Sequence, residues 1–191
     1  RLCDDLLEHV VEPVLKNQDF QLDDASCLFI NPTGPRIGGG PATHSGLTGR
    51  KTGIDTYGGF VRHSGAALSG KDPMRIDRVG AYIARYAAKN VVAGGLAREC
   101  EVQLSYSVGM AHPVSLRVQT FGTGEVSEKD IADRLRQVID FRLGAIVRDL
   151  KLKTLSGQSG GFYQKLAVYG HMGRIDLDVP WEKTDKADAL K

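Results

Sequence analysis

Between Gly34 and Gly70, 11 of 37 residues are glycine, and this stretch constrains the fold more than any other feature. Glycine loses more backbone freedom on folding than any other residue, so a long helix or a wide sheet is not built through such a run. Regular structure must lie on either side of it. The stretch is not a low-complexity linker, because short apolar pieces and specific charges interrupt it. Lys51 to Tyr57 reads as a short strand, and Gly58-Gly59 and Ser64-Gly65 read as turns.

Upstream, Leu2, Leu6, Leu7, Val10, Val11, Val14 and Leu15 recur at helical spacing. Asp4, Asp5 and Glu8 fall in the early turns, where the helix dipole favours acids. A helix over 2–16 is predicted, ended by Asn17 and Asp19. Ser26 to Ile30 predicts a strand that feeds the turn Asn31-Pro32-Thr33-Gly34. Downstream, Asp72 suits an N-cap and Pro73 the first helical position. The predicted helix carries Ile76, Val79, Ile83, Tyr86, Ala87 and Val91 and stops at Gly94-Gly95. Alternation over 101–108 and 114–121 predicts two strands, paired like a hairpin around His112-Pro113. Ser127, with Asp130 three residues on, predicts a capped helix whose apolar face is Ile131, Leu135, Val138 and Ile139. A further helix is expected over 143–150, a loop over 157–161 and a short strand over 166–169. The remainder reads as turn-rich, ending in a polar tail. Helices and strands interleave without a strict βαβ rhythm, so the expected class is α+β.

Composition then excludes function classes. With 41% apolar and 25% charged residues in 191, the chain is an ordinary globular one. A net charge of +2 does not by itself imply nucleic acid, and no nucleic-acid or membrane partner is expected. No apolar run approaches the ~20 residues needed to span a bilayer. Cys3, Cys27 and Cys100 are odd in number and widely spaced. That argues against a disulfide framework or a zinc site, and for a reduced, cytoplasmic setting. The chain opens on Arg1 directly into the helical pattern, which reads as a fragment or a processed chain.

The Gly-rich stretch also carries the chemistry. A backbone that approaches phosphate oxygens closely needs glycine, a helix N-terminus offers unpaired N–H groups, and Lys or Arg supplies the neutralising charge. Gly65 to Lys71 fits GxxxxGK, but Asp72 stands where a P-loop needs the Ser or Thr that binds magnesium. A phosphate-binding loop of another kind is expected. From Arg36 to Arg75, Arg36, Arg50, Lys51, Arg62, Lys71 and Arg75 stand against Asp55 and Asp72, and Asp77 lies just beyond as a carboxylate suited to Mg²⁺. The bland reading is a solvated surface loop, with Asp55 paired to a neighbouring arginine. His9 and His112 read as structural, and His171 lies in a turn without an evident partner. No Ser/His/Asp set is visible in the sequence.

A family resemblance rests on these motifs taken together. Asn31-Pro32-Thr33-Gly34, Ser45 to Lys51, Asp55-Thr56-Tyr57-Gly58-Gly59 and Ser69-Gly70-Lys71-Asp72-Pro73 resemble methionine adenosyltransferase, also called S-adenosylmethionine synthetase. So do Ala88-Lys89-Asn90, Thr120 to Thr123, Tyr169-Gly170-His171 and Pro180 to Asp185. They occur in the family's order and cover nearly the whole chain.

The resemblance implies an enzyme with repeated domains, each packing helices on a mixed sheet. Residues 1–39 would end one domain, 40–79 form part of a second, active-site domain, and 80–191 most of a C-terminal one. It implies ATP and methionine as substrates, Mg²⁺ and K⁺ as cofactors, and a homodimer or dimer of dimers with the active site at the interface. Arg50, Lys51 and Lys71 match catalytic, phosphate-contacting positions, and Asp77 matches a magnesium ligand. Pro35, Arg36, His44 and Ala67 match further ATP-contacting positions, and His44 and Arg75 the methionine side.

Four of these depart from the family pattern. His44 stands for Asp, Pro35-Arg36 for Arg-Phe, and Arg75 for Lys. The adenine-stacking aromatic is thereby replaced by a residue whose guanidinium plane can stack instead. The family's N-terminal histidine and magnesium-binding aspartate have no counterpart here, so this chain alone is expected to be inactive. The competing reading is a non-catalytic regulatory subunit that keeps the fold.

Overall fold

A computed structural model describes residues 2–18, 21–23, 26, 28, 30, 37–40, 52–64, 67–107, 109–157 and 160–191. The chain divides into two compact units, Arg1–Gly46 and Leu47–Lys191.

In the first unit, α1 (Leu2–Leu6) passes through a π-helical stretch, Leu7–Val11, into α2 (Glu12–Lys16). The predicted helix is present, but its middle is widened by one residue per turn. The Glu12 N–H reaches back five residues to the Leu7 carbonyl. Pro13 accounts for this: it has no N–H to donate, and its ring crowds the carbonyl four residues back. The strand predicted over 26–30 lies partly outside the described residues.

The second unit is built on α3 (Ile76–Ala93). Its buried stripe is Arg78, Val79, Tyr82, Ile83, Tyr86, Ala87, Asn90 and Val91, so the helical spacing read from the sequence does face the core. The start is later than expected. Asp72 does not cap the helix; its carboxylate accepts the Met74 N–H at 2.8 Å and its carbonyl accepts the Arg75 N–H at 2.9 Å. Asp72 and Pro73 therefore make a turn of their own, since an aspartate that bonds two residues ahead closes an Asx-turn. The helix begins after Arg75, with Asp77 in its first turn.

Strands β1 (Glu101–Ser105) and β2 (Ser115–Gln119) follow as an antiparallel pair, with Leu104 opposite Leu116 and Val102 opposite Val118. Leu116 and Val118 are buried, as the alternation predicts. Helix α4 (Glu128–Val138) starts at the expected cap, where Ser127 Oγ accepts the Asp130 N–H at 3.1 Å. It packs Ile131, Ala132 and Leu135 into the core. Helices α5 (Leu143–Asp149), α6 (Leu152–Leu155) and α7 (Phe162–Leu166) continue the helical layer. This is an α+β arrangement, and its sheet among the described residues is the β1–β2 pair.

Two predicted strands are absent. Thr52–Asp55 is a 3₁₀ turn instead, closed by Thr56 N–H and Gly58 N–H on the Gly53 carbonyl. A Cβ on Gly53 would lie 2.9 Å from the Gly58 carbonyl oxygen, so the turn closes only over glycine. The Leu166–Tyr169 segment ends α7 and enters left-handed backbone at Tyr169. Phe162 and Leu166 are both buried, and residues four apart share a helical face, so burial there favours the helix.

The tail is not a solvated polar segment. Trp181, within the 3₁₀ turn Pro180–Glu182, is fully buried, and α8 (Ala187–Leu190) buries Leu190. Asn90 inside α3 holds this segment: its amide donates to the Lys183 carbonyl at 3.0 Å and its oxygen accepts the Lys186 N–H at 2.8 Å. Among the described residues, no helix is long and apolar enough to cross a membrane.

Candidate functional site

Of the site residues named from sequence, Pro35, Arg36, His44, Arg50 and Lys51 lie outside the described residues. Ala67, Lys71, Arg75 and Asp77 lie within them and flank the start of α3. Lys71 Nζ donates to Asp77 Oδ2 at 2.7 Å, and Arg75 Nε stands 3.9 Å from the same oxygen. Two cations thus converge on one carboxylate at a helix N-terminus. The Lys71 and Asp77 side chains remain 25% and 40% exposed. An ion pair this open contributes about 0–1 kcal/mol, so either partner can be exchanged at little cost.

The backbone beneath Lys71 is far less free. Asp55 Oδ2 accepts the N–H groups of Leu68 and Ser69 at 2.8 and 2.7 Å, and Asp55 Oδ1 accepts the Ser69 hydroxyl at 2.8 Å. Burial alone would raise the Asp55 carboxyl, but the Ser69 N–H, the Ser69 hydroxyl and the Leu68 N–H outweigh it and hold it below its ordinary range. Asp55 is structural, as expected, yet its partners are amides and a hydroxyl rather than a neighbouring arginine.

His171 corrects the sequence reading more sharply. It is fully buried, and both ring nitrogens are used: Nε2 lies 2.9 Å from Ser69 Oγ and Nδ1 lies 2.8 Å from the Tyr82 hydroxyl. Its N–H donates to the Asp55 carbonyl at 2.8 Å, and its carbonyl accepts the Trp181 indole N–H at 2.8 Å. Gly170 makes this approach possible: its φ is +81°, and a Cβ there would lie 2.7 Å from the Ile54 carbonyl oxygen. Burial, then the nearby Arg78 charge, push the imidazole down to about 4.

Ser69, His171 and Asp55 do come together, but in an order unsuited to nucleophilic catalysis. The Ser69 proton is donated to Asp55, so His171 Nε2 must carry its own proton and donate to Ser69. A histidine that donates to the serine cannot act as its base. The set holds a loop in place.

Beyond Tyr82, Arg78 Nε donates to the Tyr82 oxygen at 2.8 Å, and a guanidinium nitrogen of Arg78 donates to the Lys71 carbonyl at 2.6 Å. The Arg78 guanidinium also lies over the Tyr163 ring, 4.7 Å from its centroid. A second, partly buried cluster braces the C-terminal half of α3. Glu182 accepts from Arg85 Nε and Nη2 at 2.9 Å each, from Lys89 Nζ at 2.9 Å and from the Gly173 N–H at 2.7 Å. Burial would raise Glu182, but Arg85 and Lys89 keep it below its ordinary range. Sequence reasoning missed Arg78, Tyr82, Arg85 and Glu182. One signal was available: Arg78 and Asn90 are polar residues on the apolar stripe of α3.

His171 makes an acid-lability prediction. The unfolded chain takes up a proton as pH falls through about 6.5, while folded His171 stays neutral until about 4. Its contribution is therefore complete above pH 6.5 and is lost as pH falls toward 4. A shift of this size amounts to roughly 3 kcal/mol at ~1.4 kcal/mol per pKa unit. Urea midpoints at pH 7 and 4.5 are expected to differ more for the natural protein than for His171→Gln; equal differences would remove His171 from the account.

As to metal, no cluster of three or more His, Cys, Asp or Glu side chains exists among the described residues. A self-sufficient protein cage is therefore absent there. Asp77 still fits Mg²⁺, which is commonly held by one or two carboxylates together with substrate phosphates.

This geometry is that of a loop carrying Lys71, braced against an α+β domain. The family model for the S-adenosylmethionine synthetase C-terminal domain matches residues 38–183. S-adenosylmethionine synthases of Synechococcus elongatus and Gloeobacter violaceus are each 53% identical over 192 aligned residues covering all of this chain, and that of Crocosphaera subtropica is 52% identical. The chain belongs to the S-adenosylmethionine synthetase family. It spans about half the length of the curated relatives it matches, 46% of the Synechococcus elongatus protein.

Proposed function

We propose that this chain is the C-terminal half of an ATP:methionine adenosyltransferase. In that reaction the methionine sulfur attacks the 5′ carbon of ATP. The S–C bond forms as the C5′–O bond breaks, and the electron pair leaves with the triphosphate. Hydrolysis of the triphosphate then yields pyrophosphate and phosphate. Negative charge grows on the polyphosphate in both steps, so fixed cations placed there stabilise the transition state more than the ground state.

The observation that carries the reading is Lys71 held beside Asp77 at the start of α3. Its side chain is exposed enough to turn to a phosphate, while its backbone is clamped. Arg50 and Lys51 supply further positive charge, and Ala67 lines the ATP side. Asp77 is the proposed Mg²⁺ ligand; bound there, the ion would neutralise phosphate oxygens. The family pattern assigns Pro35, Arg36, His44 and Arg75 to the adenine and methionine side, and their departures from it bear on substrate preference rather than on triphosphate release. Further repeated domains, K⁺ dependence, homo-oligomeric assembly with the site at the interface and a cytoplasmic location complete the proposal. Relatives named as synthases favour this reading over a regulatory subunit.

The test is direct. The complete protein, incubated with ATP, Mg²⁺ and methionine, is expected to yield S-adenosylmethionine, pyrophosphate and phosphate, identified by mass. A folded protein that binds ATP yet forms no methionine adduct sinks the proposal.

A further inference from the structure

The polar groups around Lys71 form one unbroken line that leaves the loop and returns to it. It runs from Asp55 through Ser69, His171, Tyr82 and Arg78 to the Lys71 carbonyl, with every link between 2.6 and 2.9 Å. Its two ends fix its direction. A guanidinium only donates and a carboxylate only accepts. Arg78 therefore donates to Tyr82, Tyr82 to His171 Nδ1, His171 Nε2 to Ser69, and Ser69 to Asp55. Every proton has one acceptor, and this order of donors holds with a neutral imidazole, the form that burial of His171 favours. Doubly protonated, His171 would donate to Tyr82 as Arg78 does, leaving the phenol proton without its acceptor in the line.

The line grips the loop at Ser69 and at Lys71, on either side of Gly70, whose φ is +82°. His171 itself comes from a distant segment, anchored by the Asp55 carbonyl and the Trp181 indole. We infer that His171 and Tyr82 are positioning residues, which set the placement of Lys71 for a polyphosphate without touching it. The inference rests on the phosphate-binding reading proposed above.

Tyr82→Phe cuts the line with little change of volume and keeps the ring stacked on Trp181, 3.6 Å between centroids. The probe is inorganic tripolyphosphate, titrated calorimetrically into the complete protein. Far-UV circular dichroism and the thermal midpoint report whether each variant is folded. Tyr82→Phe and His171→Phe are expected to weaken tripolyphosphate binding by about 3–10-fold, the size of one net hydrogen bond. His171→Gln keeps one donor and one acceptor and is expected to restore part of the loss. In turnover, kcat is expected to fall while KM for methionine holds.

The control is Ile131→Val, which trims the core on α4, away from the line. Equal weakening by this control would reduce the effect to general destabilisation and overturn the inference. If Lys71→Ala weakens binding while Tyr82→Phe and His171→Phe bind like the natural protein, the inference alone is overturned. If the natural protein does not bind tripolyphosphate, or Lys71→Ala binds it equally well, the phosphate reading fails and the inference falls with it.

Discussion

Lys71→Ala in the complete protein is expected to lower S-adenosylmethionine formation by about 10²–10³-fold, the usual effect of removing one fixed group from developing negative charge. The structure gives a sharp alternative. Seen only as half of a partly exposed ion pair with Asp77, Lys71 would contribute about 0–1 kcal/mol to stability, and its loss would change little. The two readings differ in kind as well as size. A phosphate-facing lysine alters kcat with the folded protein intact, whereas a structural one alters the urea midpoint slightly and turnover hardly at all. Lys71→Arg adds a finer check. It keeps the charge but replaces a compact ammonium by a larger planar fork, so partial recovery is expected rather than full activity. Turnover by Lys71→Ala within a few-fold of normal would remove the main site assignment.

Trp181→Ala is expected to be the most damaging single change to the fold. Trp181 is fully buried, stacked on Tyr82 at 3.6 Å and met edge-on by Phe162 at 6.3 Å. Truncating a buried Trp costs about 3–5 kcal/mol. The variant also strips the His171 carbonyl of its indole donor, at about 1–3 kcal/mol for a buried group left unpaired. At roughly 2–4 °C per kcal/mol for a chain of this size, thermal midpoints are expected to fall by roughly 10 °C or more. Trp181→Phe separates the contributions in part, because it keeps a stacked ring while losing the N–H and the rest of the indole's buried volume. It is expected to recover most of the stability. A fall of only a few degrees in Trp181→Ala would show that the C-terminal segment does not brace α3.

These expectations differ in how far the sequence foresaw them. The periodic elements were legible: the stripe of α3, the alternation of β1 and β2, and the Ser127 cap all depend on neighbours within a few positions. Errors arose where one local preference competed with another. Asp72-Pro73 has the chemistry of a helix start, but the carboxylate bonds Met74 instead and makes a separate turn. Thr52–Asp55 has strand-like residues, but Gly53 and Gly58 fold it back on itself. Leu166 reads as strand beside its valine and tyrosine, but it is buried on the same helical face as Phe162.

The sequence by itself determined the family, the α+β class and the identity of Lys71 and Asp77 as candidates, because motif order and short-range spacing are carried by adjacent residues. It did not determine what holds Lys71. Ser69 and His171 meet across 102 positions, and His171 also bonds the backbone of Asp55, which lies still further away in sequence. Only the tertiary structure brings His171 between Ser69 and Tyr82. The physical reason is that a buried imidazole must satisfy both nitrogens, and its two partners come from segments with no sequence relation to it.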